Sequence, residues 1–385
     1  MHIPGNDQGD LMDRHSRALR PFAILGLVLA IDVHAGEAQR CTAANVDYEI
    51  VEIGDASPAA LNDLGRITGT VSVSDEMGRS FIWHCATGVQ QIGALSEQDS
   101  AVVAYDINNR NEIVGQVFTA GGEEILPFIW DRLNGLRAIG TASGIGYEIN
   151  DWGDVALIAG PASVWNERIG SRPFSEVTGL DVWQFPRINN LRQVGGIHIA
   201  VDGARFFIWG PLSGARDLGP LPPSSSRVGP EVTHMNELGD LVGTLPLEDA
   251  TLPFMVSRRG DLEILAEFRE GLSASSLRIN NRRQVVGLLS DGVRNESFLW
   301  DSTNGLRPIS EVVAGDPDAA QYSAVRVIDI NEHGWMTGHV VRSADQSRVG
   351  ALFVPIPRNS RSLRKLSELS GQPLCRALRT ASKRC

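Results

Sequence analysis

The chain has 385 residues, 42% of them hydrophobic and only 6% aromatic, with 40 glycines, 19 prolines and a formal charge of −11. That apolar share is enough for a packed core and excludes a wholly disordered chain, while the acidic balance argues against nucleic acid as a ligand. The charge is uneven: residues 1–38 hold three arginines against five acids and residues 358–385 hold eight Lys or Arg against Glu368, which leaves −16 on residues 39–357.

Taken in chain order, the first feature is a set of three arginines, Arg14, Arg17 and Arg20, ahead of the apolar run Phe22 to Ile31 and the small residues around Ala35 to Ala38. This is the layout of a signal peptide over 1–38, cleaved after Ala38 or Ala35, and it predicts a secreted, extracellular or periplasmic protein with no membrane span after cleavage. Retention as an anchor is the alternative. Cys41 follows, then Tyr48-Glu49-Ile50-Val51-Glu52-Ile53-Gly54, an apolar stretch of strand character.

From there one phrase recurs seven times: an aliphatic residue, Asn, a turn, two aliphatics and usually Gly, then an apolar strand that in most copies ends in Trp. Its anchors are Asn62, Asn108, Asn150, Asn189, Asn236, Asn280 and Asn331, with an average spacing of about 45 residues, which is the period of propeller blades. The copy from Tyr105 to Gly140 shows four short segments separated by Asn, Gly and Asp, residues that supply turn conformations. The third segments, such as Phe81-Ile82-Trp83, Phe128-Ile129-Trp130 and Phe298-Leu299-Trp300, read as strands buried on both faces. The side-chain oxygen of each Asn is expected to hold the turn after the first strand.

These residues predict an all-β fold, a seven-bladed β-propeller over 39–357. The last copy lacks a fourth strand after Val354, and the N-terminal strand Tyr48 to Ile53 is expected to supply it and close the ring. An open solenoid of hairpins is the structural alternative.

The unit resembles the probable extracellular repeats of the HAF family, over about residues 48–355, although the His-Ala pair before the Phe is replaced throughout, for example by Leu126-Pro127. The resemblance implies the repeat and no particular chemistry. The turn glycine present at Gly65, Gly153, Gly239 and Gly334 becomes Asn111, Arg192 and Arg283 elsewhere. Because an Arg at positive φ costs about 1 kcal/mol, those two Arg turns are expected to differ in shape.

The residue two before each Asn is Ala60, Asp106, Glu148, Arg187, His234, Arg278 and Asp329 in turn. On innermost strands the last six would line a central channel with a basic half facing an acidic half, a candidate site for a zwitterion, a sugar acid or a peptide terminus; mutual neutralisation in a water-filled channel is the plainer reading. Loops at 96–100, 121–126, 221–228, 248–252 and 291–296, with the acids Glu123, Glu124, Glu248, Asp249, Asp316 and Asp318, are secondary candidates.

No nucleophile elbow, phosphate loop or His-Glu-x-x-His occurs, so no catalytic residue is assigned and no cofactor is expected. His333 and His339 bracket one hairpin, where solvated turn histidines outweigh a zinc or copper site. The four cysteines of an exported chain suggest disulfides; strand direction favours Cys41 with Cys85, a clamp on the closing strand, and leaves Cys375 with Cys385, while free thiols or tail-to-propeller bonds compete. The basic residues 358–385 read as a solvated end or a short amphipathic segment docking on an acidic surface. Together these features point to a secreted binding or scaffold module for an envelope or extracellular protein or glycan. The alternative is a polysaccharide hydrolase or lyase working at the channel mouth.

Overall fold

The computed structural model describes residues 46–357 apart from 74–75, 98, 100, 120–123, 141–142, 159 and 223–228. The signal segment, Cys41, Cys375, Cys385, the basic segment 358–385 and parts of the loops at 96–100, 121–126 and 221–228 lie outside the described residues. What is described is a β-propeller built from four-stranded antiparallel units. One unit comprises Ala101–Ile107, Ile113–Phe118, Ile125–Asp131 and Gly135–Ala138, paired in that order. Two units, beginning at Glu231 and Ser273, are joined by a single parallel bridge from Thr251 to Ser273. No helix among the described residues is long and apolar enough to cross a membrane.

Two local rules explain why the repeat folds this way. The Asn carboxamide Oδ1 accepts the backbone N–H groups two and four residues on, as Asn62 does from Leu64 and Arg66 and Asn108 from Arg110 and Glu112, while the third residue on takes left-handed φ. That residue is Gly at 65, 153, 239 and 334, and Asn111, Arg192 and Arg283 adopt the same conformation with φ of 65°, 58° and 56°. The expected change of turn shape at the two arginines does not occur. Their guanidinium groups instead reach a buried carboxylate of the preceding unit, Arg192 to Asp154 and Arg283 to Asp240, both at 2.8 Å, which offsets the backbone strain.

The second rule concerns the Gly of the second strand. Every innermost strand carries a β-bulge just before the residue that precedes the Asn by two, for example between Ala104 and Asp106 and between Val327 and Asp329. The bulge drives a carbonyl against the neighbouring strand. A Cβ on Gly115, Gly243 or Gly338 would lie only 2.0, 1.9 and 1.9 Å from the carbonyl oxygens of Val103, Glu231 and Arg326. Only a residue without a side chain fits there.

The core sits between neighbouring units. Phe81, Phe128, Phe207, Phe254, Phe298 and Phe353 are wholly buried and Trp83 and Trp300 nearly so, as the apolar third strands predict. In the third unit Ser163 takes the Phe position, and Phe174 from the short helix Phe174–Thr178 is buried instead. Strand Val46–Gly54 pairs antiparallel with Arg348–Pro357, with Ile50 opposite Phe353 and Val51 opposite Leu352. Its edge is tied down: the Ile50 N–H donates to Asp316 Oδ2 at 2.7 Å and the Tyr48 hydroxyl to the carbonyl of Gly334. Asp316, a loop-ligand candidate by sequence, thus serves the fold. Cys85, the one cysteine among the described residues, is disulfide-bonded; its expected partner Cys41 lies outside them.

Candidate functional site

The seven Asn side chains make a second kind of bond. Each Nδ2 donates to the backbone carbonyl of the next Asn at 2.9–3.1 Å, from Asn62 to Asn108 and onward to Asn331, whose Nδ2 returns to Asn62. All seven are at most 5% exposed. Asn suits this position because one carboxamide serves both ends of the joint: its oxygen holds the local turn and its nitrogen the neighbour.

Directly above lies a second cycle. The residue after each Asn is Asp63, Asn109, Asp151, Asn190, Glu237, Asn281 and Glu332, and each backbone N–H donates to the side-chain oxygen of the next, at 2.6–2.9 Å, with Glu332 returning to Asp63. Asn109 also donates from Nδ2 to both flanking acids, Asp63 and Asp151. These half-buried groups rim a cavity of about 340 Å³. Burial pushes the Glu332 carboxyl up to about 7, helped by the charges of Asp63 and Glu237, and Glu237 is raised chiefly by burial too.

All six channel residues expected from sequence line this cavity. The bulge turns them inward, but most are spoken for. Asp106 Oδ2 accepts the N–H of Ile149, Glu148 Oε2 that of Ile188, His234 Nδ1 that of Ile279 and Asp329 Oδ2 that of Leu61, each in the next unit. Ala60 and Arg278 cannot accept, and in the units after them Asp106 and Asp329 use Oδ1 for their own following N–H groups, of Ile107 and Ile330. The two arginines donate to carbonyls, Arg187 Nε to Val232 at 3.1 Å and Arg278 Nη1 to Leu277 at 3.2 Å. Arg187 also covers the Tyr147 ring; the Tyr147 hydroxyl donates to the Pro186 carbonyl.

Electrostatics follow from that crowding. Burial, reinforced by the charge of Glu148, pushes Asp106 up to about 7, and burial raises Glu148 and Asp329 against the pull of Arg187 and Arg278. His234 is held well below its ordinary value by burial and then by Arg278 and Arg187, so it is neutral, with the free Nε2 4.0 Å from Glu148 Oε1. A basic half facing an acidic half is not what the cavity presents. Seven carboxylates line it against two guanidiniums that already serve carbonyls.

The sequence carries the signal for the rim, an acid or amide after all seven Asn residues, whereas the candidates read from sequence lie on the other side of the Asn. His339 is also misplaced by sequence reasoning. It is a buried strand residue, 3.1 Å from Arg348 Nη2, pushed down to about 4 by burial and then by Arg348 and Arg326. No group of three or more potential metal ligands occurs among the described residues.

No family model and no curated protein matches the chain. Among solved structures it is similar to virginiamycin B lyase from Staphylococcus aureus at 10% identity and a TM-score of 0.45, covering 80% of this chain and 99% of that one. The β-propeller domain of the Trilobed protease from Pyrococcus furiosus is 9% identical with a TM-score of 0.44, over 82% and 96%. YCF48 bound to D1 peptide is 9% identical with a TM-score of 0.45, over 80% and 94%. Likenesses this distant carry no argument about activity.

Proposed function

We propose that the chain is a secreted seven-bladed propeller, closed by strand Val46–Gly54, that works as a binding module. Its Asn-turn mouth holds a positively charged group of an envelope or extracellular protein or glycan. The cyclic hydrogen bonds of the seven Asn residues support the blade count, and the pairing of Val46–Gly54 with Arg348–Pro357 supports the closure. The observation that carries the binding reading is the excess of carboxylates around the cavity, at the centre of a domain that is itself strongly acidic. A cation entering there meets half-buried oxygens whose charges repel one another, so its arrival relieves a repulsion the fold maintains.

The test is titration of the full chain with the tetramer of β-1,4-linked glucosamine and with its N-acetylated counterpart. The amine form should bind and weaken steeply with salt, and the acetylated form should not. Equal binding of both, or preference for anionic sugars, overturns the reading. A second reading, a hydrolase or lyase on polysaccharide, is favoured by one observation, the Asp106 carboxyl near 7 beside Glu148. Both Asp106 oxygens are nonetheless committed to backbone N–H groups, so the binding module is preferred. Shortened oligosaccharide products on incubation would reverse that preference.

A further inference from the structure

The third unit departs from its neighbours in volume and in charge at the same place. The middle residue of the third-strand triplet is Ile82, Ile129, Ile208, Met255, Leu299 and Leu352 in six units and the smaller Val164 in the third. Its cross-strand neighbour is Ala156, against Val114, Val242 and Val286 beside Ile129, Met255 and Leu299. The smaller side chains leave room at the seam with the fourth unit. A cavity of about 210 Å³ lies there, lined by Val164, Ile169, Ile188, Val194 and Trp209, with Val177 from the short helix.

The change of charge is in the turn that follows. In the second and sixth units this turn carries a trio, Asp131, Asn134 and Arg137 or Asp301, Asn304 and Arg307. The Asp holds both partners: the Asn Nδ2 at 2.9 and 3.0 Å and the Arg Nη2 at 2.9 and 3.1 Å. The third unit has Asn166, Ile169 and Arg172 at the same register, and all three line the cavity. Asn166 carries no charge, and its Nδ2 donates to Asp154 Oδ1 at 2.8 Å. Arg172, directly across the sheet from Val164, thus keeps the guanidinium of the trio without its carboxylate, and it has no hydrogen-bond or ion-pair partner among the described residues.

The other charged groups of the lining answer each other. Asp154 accepts from Arg192 at 2.8 and 3.0 Å, and its Oδ2 also accepts from Asn150. One uncompensated cation therefore stands beside an apolar cavity, in a domain whose central cavity is rich in carboxylates. An unpaired guanidinium offers a carboxylate two parallel N–H donors. A dry cavity of roughly 150 Å³ takes benzene, so this one has room for a ring and a short acid-bearing chain.

We infer that the cavity between the third and fourth units binds a small organic acid, its apolar ring inside and its carboxylate on Arg172. The site is separate from the central cation site and does not depend on that reading, although Asn150 and Ile188 line both cavities.

The probe is 3-phenylpropionate, with its uncharged amide as control, titrated calorimetrically into the full chain. The acid should bind at one site and the amide about ten-fold more weakly, the scale of one charged hydrogen-bonded contact. Arg172→Gln should bring the acid down to the affinity of the amide. Val164→Ile restores the side chain of the first, second and fourth units and should weaken both probes together by filling the cavity. Absence of saturable acid binding, equal binding of acid and amide, or acid binding untouched by either substitution would overturn the inference. Arg172 is an exposed side chain, so its variant decides alone if Val164→Ile does not fold.

Discussion

Asn331 donates from Nδ2 to the backbone carbonyl of Asn62 at 3.1 Å, although the two are 269 positions apart in the chain. The same side chain accepts the N–H groups of His333 and Trp335 through Oδ1, so its two functions are separable by chemistry. Asn331→Asp keeps the accepting oxygen and replaces the donor by an oxygen facing a carbonyl. It should destabilise the domain by roughly 1–3 kcal/mol in urea unfolding, the cost of leaving a buried polar partner unmatched. An Asp variant as stable as the parent would show that the bond between last and first units adds nothing.

Gly243→Ala should cost more than an ordinary strand substitution, because the new Cβ would lie 1.9 Å from the carbonyl oxygen of Glu231 and 2.7 Å from the Phe254 ring. Backbone must shift, and overpacking of this kind costs about 1–3 kcal/mol. Thermal melts of G243A beside the parent check it. An unshifted midpoint would mean that the bulge gives way freely.

Glu332 supplies a pH dependence of definite sign. Its folded carboxyl keeps a proton up to about 7 against an ordinary 4.5, so the folded chain binds more protons than the unfolded chain between those values. Its contribution to stability is therefore lost as pH rises through that window. Glu332→Gln retains an oxygen for the Asn281 N–H and removes the charge. The variant should gain on the parent at pH 8 and match it near pH 4, as read by paired urea titrations; a gain at the acidic end would contradict the assignment.

The bonded Cys85 offers a fourth check. Cys85 directly follows strand Glu76–His84, a third strand running toward the Asn turns, and Val46 lies opposite Pro357 at the same end. Non-reducing peptide mapping should join Cys85 to Cys41. The 43 residues between them imply about 4 kcal/mol from loop closure. A Cys85 link to Cys375 or Cys385 would instead tie the basic segment to the propeller.

Much of the fold was legible because it repeats: an Asn at a steady period, a Gly after two aliphatics and an aromatic third strand each reflect one steric demand met many times over. Arg192 and Arg283 were harder to read. Local propensity spoke against positive φ, and the carboxylates that offset it, Asp154 and Asp240, belong to a different unit. The channel residues were placed correctly, yet their role was obscured, since nothing local reveals that Asp106 or Glu148 spends its oxygens on the N–H groups of Ile149 and Ile188 about forty positions away. The rim escaped notice because acids and amides in turns are common, and only their joint recurrence marked them.

That rim has an arithmetic of its own. Acid and amide alternate around it, Asp63, Asn109, Asp151, Asn190, Glu237, Asn281, Glu332, but an odd cycle cannot alternate all the way round, so one like pair must meet. It meets at Glu332 and Asp63, where the end of the chain's circuit comes back to its beginning. A ring of six or eight such units would have no defect of this kind. Here the defect sets two acids side by side at one fixed point of an otherwise near-symmetric mouth, and the proton that Glu332 keeps up to about 7 answers that crowding.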